Sequence, residues 1–512
     1  MNLKLAKNAV HLIIYTTLLN AGISRGDSKV TKELLVPLKT ELTFKDPVDL
    51  DLLEEWDVFR AVHDKLFITE SGDGSTNGSL AKGWVYSGAT KSLTITLKEG
   101  LQFSDGRSLN IDDVIFSIKR KMHLTYDSNP NLPKCLGVTS AFAKFLPAAD
   151  ISTLKLLNPH ALQFSLGECD QGILEELAGT NFAIVDKNAT DSLLKLKSNA
   201  SVSGPFTAKQ DGRDFILTPN PRNWRYAKLK SEPAYRIRFI PLKEWAEKVK
   251  SASPFPQASF LRTDDIELVN KLQKQGYKLR YSLPSTSIFL TLVPENPGNT
   301  SILETQTISY INHTINRTAL ISRLKSNLYL PSDALFTKDM NCNPEVNESK
   351  LPAVRQRPNS TIVLTSNGDS PVGGLTQEVA SDLRQLGFEV EVMKSSEALT
   401  RIKKPKQVAV QLRGQHLSLR PLEVMNLMVG QLKAVPDPAG EVARKIHESL
   451  GKTNKIAAAK EVYQFFHQRN FIPLAHRRNA YLASDEKYLD IYSTSSGNMF
   501  LENLIPIMDG SL

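Results

Sequence analysis

The sequence predicts an α/β protein of two or three packed units with mixed sheets, and three observations lead there. At 512 residues the chain is longer than one core sustains, because single cores stop growing at roughly 250–300 residues. Strand-length apolar runs and helix-length stripes interleave along the whole chain without a fixed repeat. Residues 361–392 spell a complete β-α-β unit: Ile362-Val363-Leu364, a helical stripe from Leu375 to Leu386, Gly387 as its stop, then Phe388, Val390 and Val392 alternating.

The elements follow in order. Glu33 to Phe44 carries runs of strand length, ended by Asp46-Pro47. An acidic helix is predicted from Asp49 to Leu66, with Leu52, Leu53, Trp56, Phe59 and Val62 at helical spacing. Ser71 to Ser79, rich in Gly, Asn and Ser, reads as a loop. Leu93, Ile95 and Leu97 alternate with polar residues, a half-buried strand. Gly100 and Asp105-Gly106 make turns. Asn110 is the N-cap of a helix with Asp112 and Asp113 in its first turn and Ile111, Val114, Ile115, Ile118 and Met122 as its buried stripe. Leu154–Leu157, Ala161–Phe164 and Phe182–Val185 read as strands, and Gly204-Pro205-Phe206 opens a hairpin whose second arm is Phe215-Ile216-Leu217 and which Asn220 to Trp224 closes. Strands at Tyr235–Pro241 and Ser287–Val293 follow, then one helix over 305–325 on Ile308, Ile311, Ile315 and Leu320. A helix from Lys455 to His467 and a strand at Phe471–Leu474 come last.

The first residues form a leader pattern. Lys4 and Lys7 precede an apolar stretch, Ala9 to Leu19, and the small residues Asn20-Ala21-Gly22-Ile23-Ser24 follow. That is a signal peptide cleaved after Ser24, too short for the ~20 apolar residues that span a bilayer. No cysteine stands at the cleavage point, and no later segment is apolar enough to span. The expectation is an exported, soluble protein.

Composition excludes several classes. With 41% hydrophobic and 23% charged residues the chain is neither disordered nor a membrane bundle. The net charge of +9 arises from 63 basic against 54 acidic residues spread along the chain, so nucleic-acid binding is not expected. The densest basic cluster, Arg401, Lys403, Lys404 and Lys406, reads as a solvated loop. Cys135, Cys169 and Cys342 match no zinc or redox spacing; either one disulfide forms, Cys135 with Cys169 being the nearer pair, or all three are free thiols. The nine histidines show no metal-ligand spacing, so neither metal nor cofactor is expected. Glu54 with Glu55, and Asp112 with Asp113, are adjacent and so on different helix faces, better read as helix-start charges than as an acid/base pair. The sequence does not read as an enzyme.

The segment Leu93 to Phe116 carries a resemblance. A strand (Leu93–Leu97), Gly100, the turn Phe103-Ser104-Asp105-Gly106 and a helix containing Asp113-Val114-Ile115-Phe116, with Trp84 upstream, resemble the signature of bacterial extracellular solute-binding proteins of the dipeptide, oligopeptide and nickel type (family 5). Ser203-Gly204-Pro205-Phe206, Asn220 to Trp224, Ile315-Asn316-Arg317, Leu386 to Val390, Pro436-Asp437-Pro438 and Ile472-Pro473-Leu474 agree in order. The resemblance implies a periplasmic-binding-protein-like, two-lobed clamp: leader 1–24, lobe 1 over 25–270 with an inserted subdomain at about 50–165, lobe 2 over 271–475, and a return to lobe 1 over 476–512. It further implies a monomeric periplasmic protein that captures a peptide or small-molecule ligand by hinge closure and serves an inner-membrane ABC permease. The ligand segment it indicates is Gln431, Lys433, Ala434 and Asp437. Ala434 stands where peptide-gripping relatives have an amine-binding aspartate, Gln431 where they have a tryptophan, and Ile308 and Asn316 where they often carry arginine and aspartate. An anchoring carboxylate is worth roughly 2–5 kcal/mol when its partner is left unpaired. Lys433 beside the gap faces either an anionic ligand or solvent. The alternative on the same fold is an exported ligand-sensing or partner-binding protein that no longer feeds a permease.

Overall fold

The computed structural model describes residues 32–416 and 471–509, except 70–75, 127–130, 145, 147–148, 168, 170–172, 180–181, 229–234, 252–255, 294–300, 325, 335–355, 367–372, 395–405 and 493–497. The expected leader, Cys342, residues 401–404 of the basic cluster and the expected helix at 455–467 lie outside these residues.

The chain opens with strand β1 (Lys32–Leu38) and, after Asp46-Pro47, helix α1 (Leu53–Val62). This helix is shorter than the periodicity suggested, because Glu55 folds back onto the backbone N–H groups of Asp51 (3.1 Å) and Leu52 (3.2 Å) and so fixes the helix start. Next come β2 (Phe67–Thr69) and β3 (Thr76–Gly78), a two-stranded ribbon. The stretch expected to be all loop thus contributes a short strand. β4 (Ala81–Ser87) and β5 (Ser92–Leu97) follow, and the expected turns fall at Gly100 and Gly106, both at positive φ.

Asn110 caps α2 (Ile111–Thr125) as expected, accepting from the N–H of Asp112, while its own N–H donates to Asp113. Short helices α3 (Asn131–Cys135) and α4 (Ser140–Ala143) lead to β6 (Leu154–Asn158), β7 (Ala161–Ser165) and α5 (Ile173–Ala178). The order β4-β5-β7-β6 makes one antiparallel sheet. Residues 182–185, expected as a strand, are not one: the N–H of Ile184 donates to Asp64 O (2.8 Å) and that of Val185 to Ser117 Oγ (3.0 Å), so single contacts replace a ladder. One hydrophobic core drawn from Leu66 to Ile184 fills this unit, and a disulfide joins Cys135 to Cys169 across it.

The hairpin β8 (Phe206–Asp211) and β9 (Asp214–Pro219) follows, then β10 (Tyr235–Pro241), which pairs in parallel with β1. Gly204 has a steric cause. A Cβ there would lie 2.5 Å from both the Ala61 carbonyl oxygen and the Val62 carbonyl carbon, so only glycine lets this strand approach α1. The Asn220–Trp224 corner is explained by Asp64, which is buried and accepts from Asn223 Nδ2 (3.0 Å), Trp224 Nε1 (3.2 Å) and Arg225 (2.7 and 2.9 Å). The network welds the subdomain to the β1-β10-β9-β8 sheet. Lys98 lies 3.4 Å from the centre of the Trp224 ring, and burial, with Arg225 nearby, pulls its ammonium down to about 8.

α6 (Leu242–Lys250), β11 (Phe260–Thr263), α7 (Ile266–Lys274) and β12 (Lys278–Tyr281) build a small layer of their own. The chain then crosses into a second body: β13 (Thr286–Val293), α8 (Ile302–Thr314), α9 (Arg317–Arg323), β14 (Tyr329–Pro331), β15 (Thr361–Ser366), α10 (Gly373–Gln385), β16 (Glu389–Lys394), β17 (Gln407–His416) and β18 (Phe471–Arg477). The single helix expected over 305–325 is two. Ile315 turns extended and Asn316 caps the second helix through the N–H of Ala319 (3.0 Å). Ile308 points into this body's core, so packing alone accounts for its apolar side chain. The β-α-β unit stands as expected, with Gly387 at φ 88° closing α10.

The second body's sheet has the order β14-β18-β13-β17-β15-β16, mixed in direction. The chain finally returns as β19 (Ala480–Ala483), between β11 and β12, and ends in α11 (Leu504–Asp509).

His63, which follows α1, is buried, and neither ring nitrogen has a hydrogen-bond partner among the described residues. Burial holds its pKa at about 4, with Asp46 opposing and Arg120 reinforcing the shift. A folded pKa below the unfolded value of about 6.5 means that stability is present above that value and lost as pH falls through the folded one, about 1.4 kcal/mol per pH unit. His63→Leu should therefore flatten the stability profile between pH 6.5 and 4, by roughly 3 kcal/mol over the window. Urea titrations of both proteins at pH 7, 5.5 and 4.5 would test this, and parallel profiles would rule it out.

Candidate functional site

Only two short segments join the two bodies in the described chain, 282–285 between β12 and β13 and 478–479 between β18 and β19. They run side by side. The N–H of Ser282 donates to Asn479 O (3.0 Å) and that of Ser285 to Arg477 O (2.9 Å). Asn479 donates its N–H to Ser282 Oγ (2.9 Å) and its Nδ2 to Ser285 Oγ (3.1 Å). The Arg478 guanidinium lies 4.3 Å from the centre of the Tyr281 ring. Two adjacent crossings with satisfied polar groups are a hinge: they allow bending and resist sliding.

Strand direction says which edges face the gap. β17 and β18 are both antiparallel to β13, so their carboxyl ends, His416 and Arg477, flank Thr286 where the chain enters the sheet. β15 and β16 run parallel to β17 and end on the same side, at Ser366 and Lys394. In the first lobe β1 and β10 end together at Leu38 and Pro241. Ligands of open α/β sheets bind beyond carboxyl strand ends, where loops present side chains and unpaired backbone groups. The cleft between these edges is the candidate site.

Its charged groups come from three strand ends. Lys39 follows β1, Asp264 follows β11 and Arg477 ends β18; the Asp264 carboxylate pairs with both cations. Burial pushes this carboxyl up, but Arg477 and Lys39 outweigh it and hold it below the usual range. The Lys39-Thr40 turn is held from below by Glu54, which accepts from the N–H of Thr40 (2.6 Å) and of Lys39 (3.3 Å). Arg262 donates to Asp57 (3.0 Å) under that turn. Arg413, three residues before the β17 end at His416, is half-buried, donates to Gln411 Oε1 (2.8 Å) and has no carboxylate partner among the described residues; desolvation lowers its pKa.

Gln431, Lys433, Ala434 and Asp437 lie outside the described residues. Sequence reasoning missed Lys39, Asp264 and Arg477. Only one signal was available: in Asp264-Asp265 at a strand-to-helix junction, Asp265 caps α7 through the N–H of Leu268 (3.1 Å), which leaves its neighbour free for another partner. Glu54 and Glu55 stand in the first turn of α1, as read from the sequence; both are buried, Glu55 capping the helix start and Glu54 holding the Lys39-Thr40 turn as well.

Two α/β lobes on a two-segment hinge, with carboxyl strand ends turned toward the gap, define a binding clamp. Residues 76–431 match the family of bacterial extracellular solute-binding proteins, family 5 (middle region), which is more than half of the chain, and the protein belongs to that family. Its members are extracellular solute-binding proteins.

Among sequences, the chain is 27% identical over 209 residues to the probable D,D-dipeptide-binding periplasmic protein of Escherichia coli K12, covering 38% of this chain and 37% of that one. It is 29% identical over 147 residues to the dipeptide-binding protein of the same organism, covering 26% and 27%. Both matches thus span well under two thirds of the relatives' length. Among solved structures, NikA from Brucella suis in complex with Fe(III)-EDTA superposes with a TM-score of 0.69 at 17% identity, over 92% of this chain and 99% of that one. The murein tripeptide binding protein MppA of Escherichia coli gives 0.68 at 14% identity, over 92% and 98%. At such identities the structures establish the two-lobed fold.

Proposed function

We propose that this chain is the periplasmic substrate-binding component of an ABC importer, exported by residues 1–24, which captures a peptide-like or other small polar solute between its lobes and delivers it as a monomer to an inner-membrane permease. The observation that carries the reading is the pair of carboxyl strand edges facing one another across a two-segment hinge. The division is lobe 1 over 25–270 with its subdomain, lobe 2 over 271–475 and a return over 476–512; the subdomain takes its core from Leu66 to Ile184. Gln431, Lys433, Ala434 and Asp437 supply the lobe-2 side of the pocket. The named ligands of similar proteins, D,D-dipeptides and a murein tripeptide, favour a peptide-like solute.

A thermal-shift screen against di- and tripeptides, amino acids, sugars and metal chelates tests the reading. A ligand at about 100 times its Kd should add roughly 2.7 kcal/mol of stability. A peptide hit supports import of a peptide-like solute. Silence across every class, from folded protein free of co-purified solute, would sink it in favour of a sensing or partner-binding role. Ala434→Asp should create or strengthen affinity for free-amine peptides, and no gain in calorimetry would remove Ala434 from the pocket.

A further inference from the structure

We propose that Asp264 is an ionic pivot between the lobes: its carboxylate, fixed to the first lobe by Lys39, grips Arg477 of the second lobe's sheet and sets the resting angle of the clamp. The geometry separates the two arms. Lys39 and Asp264 follow β1 and β11, which belong to the first lobe, so their pair joins two turns of one body. Arg477 is the last residue of β18, inside the six-stranded sheet of the other body, and its backbone carbonyl also accepts the hinge hydrogen bond from Ser285. The Arg477–Asp264 pair therefore spans the hinge at the point where one crossing segment begins.

The pair is well shielded. The Arg477 and Asp264 side chains are 10% and 16% exposed, against 51% for Lys39. Salt screens exposed charges far more than buried ones, so the interlobe arm keeps its strength at physiological ionic strength. Beneath it, Glu54 fixes the Lys39-Thr40 turn and Arg262 fixes Glu54 and Asp57, so the carboxylate stands on a rigid base. Tyr329, register partner of Arg477 on β14, completes the enclosure from the second lobe. A ligand entering the cleft meets a clamp whose resting angle is set by a charge pair, and any group that competes for Asp264 or Arg477 changes that angle. The pivot acts whatever the solute is, so it stands or falls apart from the proposed ligand class.

The test is small-angle X-ray scattering and hydrogen exchange on the ligand-free full chain. Arg477→Gln and Asp264→Asn should change the interlobe part of the pair-distance distribution alike, and the double variant should go no further. The hinge amides of Ser282, Ser285 and Asn479 should exchange about tenfold faster, the loss expected for one charge-assisted bond. Lys39→Met, which cuts only the arm inside one lobe, should leave the distribution as in the parent, and Arg477→Lys should restore most of it. If Asp264→Asn does not fold, the contrast between Arg477→Gln and Lys39→Met still decides. An unchanged distribution and exchange in Arg477→Gln, or additive effects in the double variant, would overturn the proposal.

Discussion

Replacing both Cys135 and Cys169 by alanine should lower the stability of the subdomain by about 4 kcal/mol, the chain-entropy value for a bridge closing a loop of this length. The two residues stand 34 apart in sequence with Cα atoms 5.1 Å apart, and the loop between them contains α4, β6, β7 and the core residues Leu136, Val138, Leu162, Phe164 and Leu166. The bridge acts by closing that loop in the unfolded chain. The loss should be local. Trp84, packed edge-on against Phe67 with ring centres 5.1 Å apart, reports on the subdomain, and its fluorescence should change at lower urea than the far-UV signal of the whole protein. Reduction of the parent should reproduce the early transition. A loss under about 1 kcal/mol would mean that the folded packing alone holds the loop.

The second large effect is expected at Arg262. Its guanidinium is 10% exposed and lies against Asp57, itself 2% exposed, beside the Tyr481–Tyr492 stack, whose ring centres are 4.2 Å apart. Arg262→Met keeps the volume and strips the carboxylate of its cation, a change that costs roughly 3–5 kcal/mol in buried pairs. The pH dependence identifies the cause. Burial, only partly offset by Arg262, pushes Asp57 up to about 6, above its unfolded value. A raised folded pKa gives stability that is present below the unfolded value and lost as pH rises through the folded one. Without Arg262 the folded pKa moves higher still, so the loss continues past pH 6. The deficit of Arg262→Met against the parent should be smallest near pH 4–5 and widen from pH 6 to 8. A deficit independent of pH would assign the effect to packing.

Much of the fold was legible because local chemistry and global fold agree in it. The alternation at Leu93–Leu97, the Asn110 cap and the Gly387 stop each had one physical reading, and the structure has them where the residues put them. Where the reading failed, a specific hydrogen bond outweighed the periodic pattern, a local cap in one case and tertiary contacts in the other. The stripe over 305–325 has unbroken helical spacing, yet Asn316 breaks it by capping a second helix. The run 182–185 has the composition of a strand, yet its backbone bonds are taken by Asp64 and Ser117.

The candidate site divides the same way. By itself the sequence determined the class of this protein: the order of turns, caps and glycines from Trp84 to Leu474 resembles the signature of solute-binding proteins, and that resemblance implies the clamp. Gly100, Asn110 and Gly387 answer backbone demands made within a few positions of themselves, whereas Gly204 and Asn220–Trp224 answer Ala61, Val62 and Asp64 far along the chain. Which residues meet at the hinge was decided only by the tertiary structure. Lys39, Asp264 and Arg477 are separated by more than two hundred positions each and carry no mark in composition or periodicity. They come together because β1, β11 and β18, strands of three different sheets, end where those sheets meet, and topology, not sequence distance, determines which charges share a low-dielectric space.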